Sequence, residues 1–200
     1  EVMKKRLFTL VLGCMSFTVS QILLRIPLLN YIQGTTRFTL FYILNPLLTG
    51  ILIAFSAGVF EEGFRFIFKR MFLKPMKTDI FEPIIFGLGH GVTEALFVLV
   101  PALSIASFQD LSLGIFERFL AIILHIGLSV VVWNGFQLEK KFRYLFLAIL
   151  IHGSVNSLIP IFASSNNSIA LILSSIGLIA LLMVLYIFKS KKLYNKGRTK

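Results

Sequence analysis

Two adjacent glutamates and an arginine interrupt an apolar stretch that is long enough to cross a membrane. Glu61 and Glu62 are neighbours, and Arg65 follows within one helical turn. Ionisable groups are costly in lipid, so they usually face the interior of a helix bundle and usually serve a function. One of two neighbouring carboxylates can act as a general base toward water. Arg65 shares roughly their helix face and could pair with one of them.

The three histidines of the chain also fall within apolar stretches, and none lies in a predicted loop. A histidine in a membrane span often serves only as an interhelical hydrogen-bond donor. His90 and His152 could instead hold water or a metal ion beside the glutamates. Asn156 follows His152 by one helical turn and could donate a hydrogen bond to a developing oxyanion.

The composition places these residues in a membrane. The 200 residues are 56% hydrophobic, whereas soluble domains are about 45–50% apolar. The net charge of +11 could suggest a nucleic acid partner. The basic residues lie mainly at the ends of apolar stretches, however, as membrane topology requires, so we expect no nucleic acid partner. The composition predicts an all-α fold, a polytopic transmembrane helix bundle in a single domain.

Six apolar stretches predict six membrane spans. They cover residues 7–24, 47–72, 81–104, 115–136, 144–163 and 169–188, with connections at 28–37 and 105–114. Asn45-Pro46 should kink or restart a helix, because proline lacks the backbone donor. We expect residues 1–188 to form one transmembrane domain and 189–200 a basic cytoplasmic tail. The chain begins with Glu1 rather than methionine, which leaves room for upstream sequence, including a further span.

The basic residues predict the orientation. Six spans place both ends of the chain on one side, and sixteen of the 20 basic residues then fall on that side, including those of a basic turn at 74–79. Only Arg25 and Arg37 fall on the opposite side, and Arg65 and Arg118 lie within spans. By the positive-inside rule, the basic side and both termini are cytoplasmic.

Helix geometry predicts that several polar residues lie at one depth. Counted from the nearest charged residue at the cytoplasmic end, Glu61 lies about 12 Å, His90 about 16 Å and His152 about 14 Å into the bilayer. We expect these three residues to line one polar cavity that opens to the cytoplasmic half. Glu94 and His125 both lie about 22 Å in, which predicts a second layer.

Three motifs on successive spans resemble those of the CAAX-protease and bacteriocin-processing (CPBP) superfamily. They are Glu61-Glu62-x-x-Arg65, Phe86-x-x-x-His90 and His152-x-x-x-Asn156. The superfamily pattern has its arginine one residue later, where this chain has Phe66. A closer resemblance is to the YhfC-like intramembrane metalloproteases. It rests on Gly89-His90-Gly91-Val92-Thr93-Glu94 and on Glu117-Arg118 followed by His125. It covers about residues 55–160 and extends to Arg25-Ile26-Pro27-Leu28.

The resemblance implies a membrane-embedded protease fold and assigns roles to residues of this chain. Glu61 is the implied base acting on water, Glu62 its supporting carboxylate and Asn156 the oxyanion donor. His90 and His152 are the implied ligands of water or of a metal ion, for which Zn²⁺ is the candidate. Supporting roles fall to Arg65, Glu94, Glu117 and His125.

These observations favour an intramembrane endopeptidase that hydrolyses a peptide bond within or near the bilayer. The expected location is the bacterial plasma membrane, and the expected partners are the lipid bilayer and a membrane-associated peptide or protein substrate. One alternative is a non-enzymatic membrane scaffold or immunity protein. Another is a proton-coupled transporter, because Glu and His chains also relay protons. Such transporters often contain inverted repeats, and this sequence has none.

Overall fold

Long helices make up the architecture of this protein. The computed structural model describes residues 1–73 and 78–195, and within these ranges it contains no β-strand. Six helical segments of the described chain are long and apolar enough to cross a membrane. They are Val2–Gln33, Pro46–Phe72, Phe81–Ala102, Phe108–Gln137, Lys141–Phe162 and Ser168–Tyr194. The prediction of an all-α bundle with six spans is therefore confirmed.

The first span is one continuous helix in three parts. Helix α1 covers Val2–Phe17, a π-helical segment covers Thr18–Arg25, and α2 covers Ile26–Gln33. The prediction that this span ends near residue 24, before Arg25 and Pro27, was wrong. Pro27 lies in the first turn of α2, directly after the π-helical segment. Short π-helical insertions often occur at functional sites.

A short helix, α3 (Thr36–Leu44), separates the first span from α4 (Pro46–Phe72). The predicted break at Asn45-Pro46 is confirmed, and Pro46 occupies the first position of α4, where its missing donor costs little. Helix α5 covers Phe81–Ala102 and α6 covers Phe108–Gln137. Because α6 begins at Phe108, most of the connection predicted at 105–114 is helical.

Helices α7 (Lys141–Phe162) and α8 (Ser168–Asn195) complete the chain. Helix α8 continues past the predicted start of the tail at residue 189. Its last turns are docked on α6, because Asn134 donates a hydrogen bond to Ser190 Oγ over 2.8 Å and accepts one from Tyr194 over 3.0 Å. The remainder of the predicted tail, residues 196–200, and part of the predicted basic turn, residues 74–77, lie outside the described residues.

Helix α6 is the centre of the bundle. It packs against α5, α7 and α8, and its residues 127–136 are all buried. The other extensive contacts join α4 to α7 and α1 to α5. Glycines let these helices approach closely, because they have no side chain. A Cβ atom on Gly87 would lie 2.6 Å from the Cα atom of Ile126, and one on Gly89 would collide with the carbonyl of Leu10.

Candidate active site

Polar side chains from four spans meet in the interior of the bundle. Glu61 comes from α4, His90 from α5, His125 from α6 and His152 from α7, and all four are buried. The ring centre of His125 lies 4.9 Å from that of His90 and 5.1 Å from that of His152. The structure therefore brings Glu61, His90 and His152 together, as the depth argument predicted.

Glu61 is the carboxylate at the centre of this cluster. Its Oε2 atom lies 2.8 Å from His90 Nε2, 3.8 Å from His152 Nε2 and 3.9 Å from His125 Nδ1. Its Oε1 atom accepts a hydrogen bond of 2.5 Å from Gln21 in the π-helical segment. An ionised carboxylate has no donor and can only accept, so a neutral His90 beside ionised Glu61 carries its proton on Nε2 and donates it to Glu61.

Glu62 has a different role from its neighbour. Arg65 Nη1 lies 2.7 Å from both oxygens of Glu62, and both side chains are completely buried. Glu62 Oε1 also lies 2.8 Å from His152 Nδ1. The arginine three residues after Glu62 therefore pairs with it, although the superfamily pattern has its arginine at the position of Phe66. Because ionised Glu62 accepts a hydrogen bond from Nδ1–H of His152, a neutral ring has its lone pair on Nε2, which faces Glu61.

The hydrogen-bond partners of His125 settle its tautomer in the same way. Arg65 Nη2, which can only donate, lies 3.1 Å from His125 Nδ1. The proton of a neutral ring is therefore on Nε2, which is in close contact with the carboxylate of Glu94. The single lone pair on Nδ1, which lies 3.9 Å from Glu61 Oε2, accepts the bond from Arg65, so a metal ion held by this nitrogen would replace that bond.

Three potential ligand atoms converge at this point. One atom each from Glu61, His125 and His152 lies within 4.8 Å of the other two, and all three residues are buried. Two imidazole nitrogens and one carboxylate oxygen are the ligand set of some catalytic zinc sites. The group includes His152 from the expected ligand pair but contains His125 in place of His90.

The prediction that His125 belongs to a separate layer was wrong. Helix α6 has 30 residues, which correspond to about 45 Å of length, whereas the hydrocarbon core of a bilayer is about 30 Å thick. A helix of this length tilts or extends beyond the core, so residue counts from its end overestimate depth. The ring of His125 instead packs against the rings of both His90 and His152.

Glu94, Arg118 and Glu117 extend the cluster on one side. Arg118 Nη1 donates to Glu94 Oε1 over 2.7 Å, and Arg118 also pairs with both oxygens of Glu117. Glu94 contacts His125, so this chain of charges connects to the centre. The side chains of Glu117 and Arg118 remain 23% and 15% exposed, so they lie nearer the surface than the buried histidines.

A cavity of about 520 Å³ leads to Glu61. It also contains Asn156, as well as Glu94 and Arg118, and its remaining walls are mostly apolar. Along α4 the cavity extends from Glu61 toward Gly50, and along α7 from Asn156 toward Pro160. Both directions lead away from the basic ends of these helices. The expected opening toward the basic, cytoplasmic half is therefore wrong.

Large side chains fill the interior on the basic side of Glu61. Phe66 packs against Phe136 and Phe142, with ring centres 5.1 and 5.6 Å apart. Lys69 is completely buried there, lies 2.7 Å from a carboxylate oxygen of Glu82 and stacks over the ring of Trp133. Lys69 thus belongs to the interior rather than to the charged surface at which the orientation argument counted it.

Gln21 and Arg25 also belong to the site, although they were not among the site residues predicted from the sequence. Gln21 bonds to Glu61, and Arg25 Nη1 donates to Gln21 Oε1 over 2.9 Å. Arg25 instead served to mark the end of the first span. The spacing of Gln21 and Arg25, four residues apart on one face of an apolar helix, was the available signal.

The fold and the site together define a helical membrane protein with a buried glutamate–histidine centre that is suited to a metal ion. A family model described as YhfC intramembrane metalloprotease matches residues 3–110 and 101–183. The chain belongs to this family. It is also 27% identical to the uncharacterized membrane protein YhfC of Bacillus subtilis (strain 168) over 222 aligned positions, which cover 92% of this chain and 84% of that protein.

Proposed function

We propose that this protein is a metal-dependent endopeptidase that hydrolyses peptide bonds within or near the bilayer. The observation that carries the proposal is the convergence of Glu61, His125 and His152 on one buried point at the end of a cavity. The family description supports the same activity. The substrate is a peptide or protein segment that enters the cavity from the membrane or its surface.

The contacts around the two histidines suit metal ligation. Metal-binding histidines usually present one ring nitrogen to a carboxylate, a carbonyl or water, which fixes the tautomer and raises ligand basicity. Here Glu62 faces Nδ1 of His152, and Glu94 faces Nε2 of His125. Zn²⁺ is the ion that this donor set fits best, and it would polarise the scissile carbonyl and acidify a bound water.

The side chains supply the proton transfer and the orientation. Glu61 has two carboxylate oxygens, so one would hold the metal ion while the other takes up the proton that the attacking water loses and returns it to the leaving amine, and His90 keeps Glu61 in place by donating to it. Glu62 does not line the cavity and acts only through His152. Asn156 lines the cavity beside Glu61 and is the candidate donor to the oxyanion of the tetrahedral intermediate.

The orientation remains the one that the basic residues favour, with both ends of this chain in the cytoplasm of a bacterial cell. In that orientation the cavity opens in the outer half of the plasma membrane. Substrate would then reach Glu61 from the outer leaflet or the external surface, while the aromatic packing around Phe66 and Trp133 closes the cytoplasmic side.

Metal content and cleavage test this proposal together. The purified full chain, reconstituted in lipid nanodiscs, should contain about one zinc ion and should cleave members of a panel of apolar membrane-spanning peptides, detected by mass spectrometry. Chelation with 1,10-phenanthroline should remove both the metal and the activity, and added Zn²⁺ should restore them. Full activity after exhaustive chelation would reject the metal and leave a glutamate mechanism, and a folded, zinc-loaded protein that cleaves no peptide favours the non-enzymatic scaffold.

A further inference from the structure

Arg25 is a cation without a direct ion-pair partner in the part of the chain that the structure describes. Its guanidinium group makes three hydrogen bonds, to Gln21 Oε1, Ser56 Oγ and the carbonyl of Ile53, at 2.9, 2.9 and 2.6 Å. All three acceptors are neutral. No carboxylate oxygen lies within 4.0 Å of this group among the residues that the structure describes. The charge of Glu61 acts on Arg25 only at longer range, across Gln21. A charged side chain at membrane depth without a direct ion pair is costly and usually has a function.

The guanidinium lies in the cavity that ends at Glu61. Arg118 is the other cation in that cavity within the described chain, and Glu94 and Glu117 already neutralise it. An incoming anion would therefore gain the most binding free energy beside Arg25. The walls beside it are apolar, formed by residues such as Ile26, Ala54 and Val98.

The free donors of Arg25 match a carboxylate. A guanidinium group has five N–H donors, of which three are used here, so one remains on each of Nη1 and Nη2. Two parallel N–H donors bind a carboxylate in a bidentate manner. We propose that Arg25 binds a carboxylate of the substrate chain and thereby selects apolar segments that carry one acidic group. This inference rests on the proposed function.

The position of Arg25 also limits where the carboxylate lies along the substrate. Gln21 bridges Arg25 Nη1 and Glu61 Oε1, so two hydrogen bonds and one amide group separate them, about 8 Å at most. An extended chain advances about 3.3–3.6 Å per residue. The carboxylate is therefore within about two or three residues of the cleaved bond. It belongs either to an acidic side chain or to the C-terminus of the substrate.

Four matched peptides test this assignment. They share one apolar sequence, contain a single Asp or Asn, and end in a free carboxylate or an amide. Binding to the reconstituted full chain is measured by fluorescence polarisation, and cleavage of the same peptides is measured in parallel. We expect at least a tenfold preference in Kd and KM for a peptide with a carboxylate, since hydrogen bonds to charged groups are the strong ones. The Asp–Asn and carboxylate–amide pairs distinguish the two sources.

The variants R25Q and R25K complete the test, with R37Q as the matched control. Arg37 is an exposed arginine outside the cavity. We expect R25Q to lose the preference, measured as the ratio of KM between the amide Asn peptide and the peptides with a carboxylate, R25K to retain part of this ratio, and R37Q to retain it fully. R25K serves as the informative variant if R25Q does not fold.

Equal binding of all four peptides by the unmodified protein would overturn the proposal, as would a preference that survives in both Arg25 variants. The test of Arg25 and the test of the proposed peptidase activity can give different outcomes. Carboxylate-selective binding without cleavage supports the Arg25 assignment and rejects the peptidase. Cleavage without carboxylate selectivity supports the peptidase and rejects the Arg25 assignment.

Discussion

The two adjacent glutamates have different surroundings although they are neighbours in sequence. Glu62 is neutralised by Arg65, whereas Glu61 is bonded by the neutral donors Gln21 and His90. Because no arginine or lysine neutralises Glu61 within ion-pair distance in the described chain, its charge is available to a metal ion or to a proton. The proposed chemistry therefore belongs to Glu61, and Glu62 holds His152 and Arg65 in place.

The first prediction separates these roles by mutation. We expect E61Q to lower cleavage by at least about 10²–10⁴-fold, the usual contribution of a proton-transferring group, because it also removes a candidate metal ligand, while the protein remains folded. E62Q should instead reduce stability, because it leaves Arg65 buried without its partner, a loss of about 3–5 kcal/mol. Cleavage assays and thermal melting in nanodiscs measure the two effects. Full activity of both folded variants would reject the mechanism.

The second prediction concerns the carboxylates behind the histidines. Removal of a group that orients a metal-binding histidine typically lowers metal affinity by about 10–100-fold. We therefore expect E94Q to weaken zinc binding by this factor, and H125N to remove a ligand and weaken it further. E117Q is the matched control, because Glu117 contacts Arg118 rather than a histidine. Competition with a fluorescent zinc indicator gives the affinities, and equal values for E94Q and E117Q would contradict this assignment.

At the scale of helices, the lengths of the apolar stretches predicted the spans, because a helix needs about 20 consecutive, mostly apolar residues to cross the bilayer. The same logic failed at the first span, where Arg25 indicated an aqueous boundary. The side chain of Arg25 is instead satisfied inside the bundle by Ser56 and by the carbonyl of Ile53. Sequence alone does not reveal such a partner, because the partner lies on another helix.

The third prediction uses two glycines of the same helix. A Cβ atom on Gly58 would lie 2.8 Å from the backbone nitrogen of Gly153 on α7, whereas one on Gly63 would meet nothing within 4 Å. We expect G58A to force α4 and α7 apart, to lower the melting temperature and to reduce cleavage, because Glu61 and His152 lie on these two helices. G63A is the control and should be neutral or slightly stabilising, since alanine favours helix over glycine. Equal melting temperatures would contradict the close packing.

At the scale of the whole molecule, the two ends of the bundle differ. One end has the basic residues and a filled interior, and the other has the cavity that reaches Glu61. The sequence predicted that Glu61, His90 and His152 converge, because helix rise fixes depth along each span. It did not predict the side on which the cavity opens, because this depends on how Phe66, Phe136 and Trp133 pack across helices.

The last prediction tests the orientation of the chain in the membrane together with the side from which the cavity is reached. In a C14S background, E139C on the turn between α6 and α7 should react with an impermeant maleimide only from the cytoplasm, and N166C on the loop before α8 only from outside. Both side chains are exposed.

I53C, in the cavity wall, should react only from outside, because Phe66 and Trp133 block the other side. Reaction of N166C from the cytoplasm would reverse the orientation, and reaction of I53C from the same side as E139C would contradict the proposed route to Glu61.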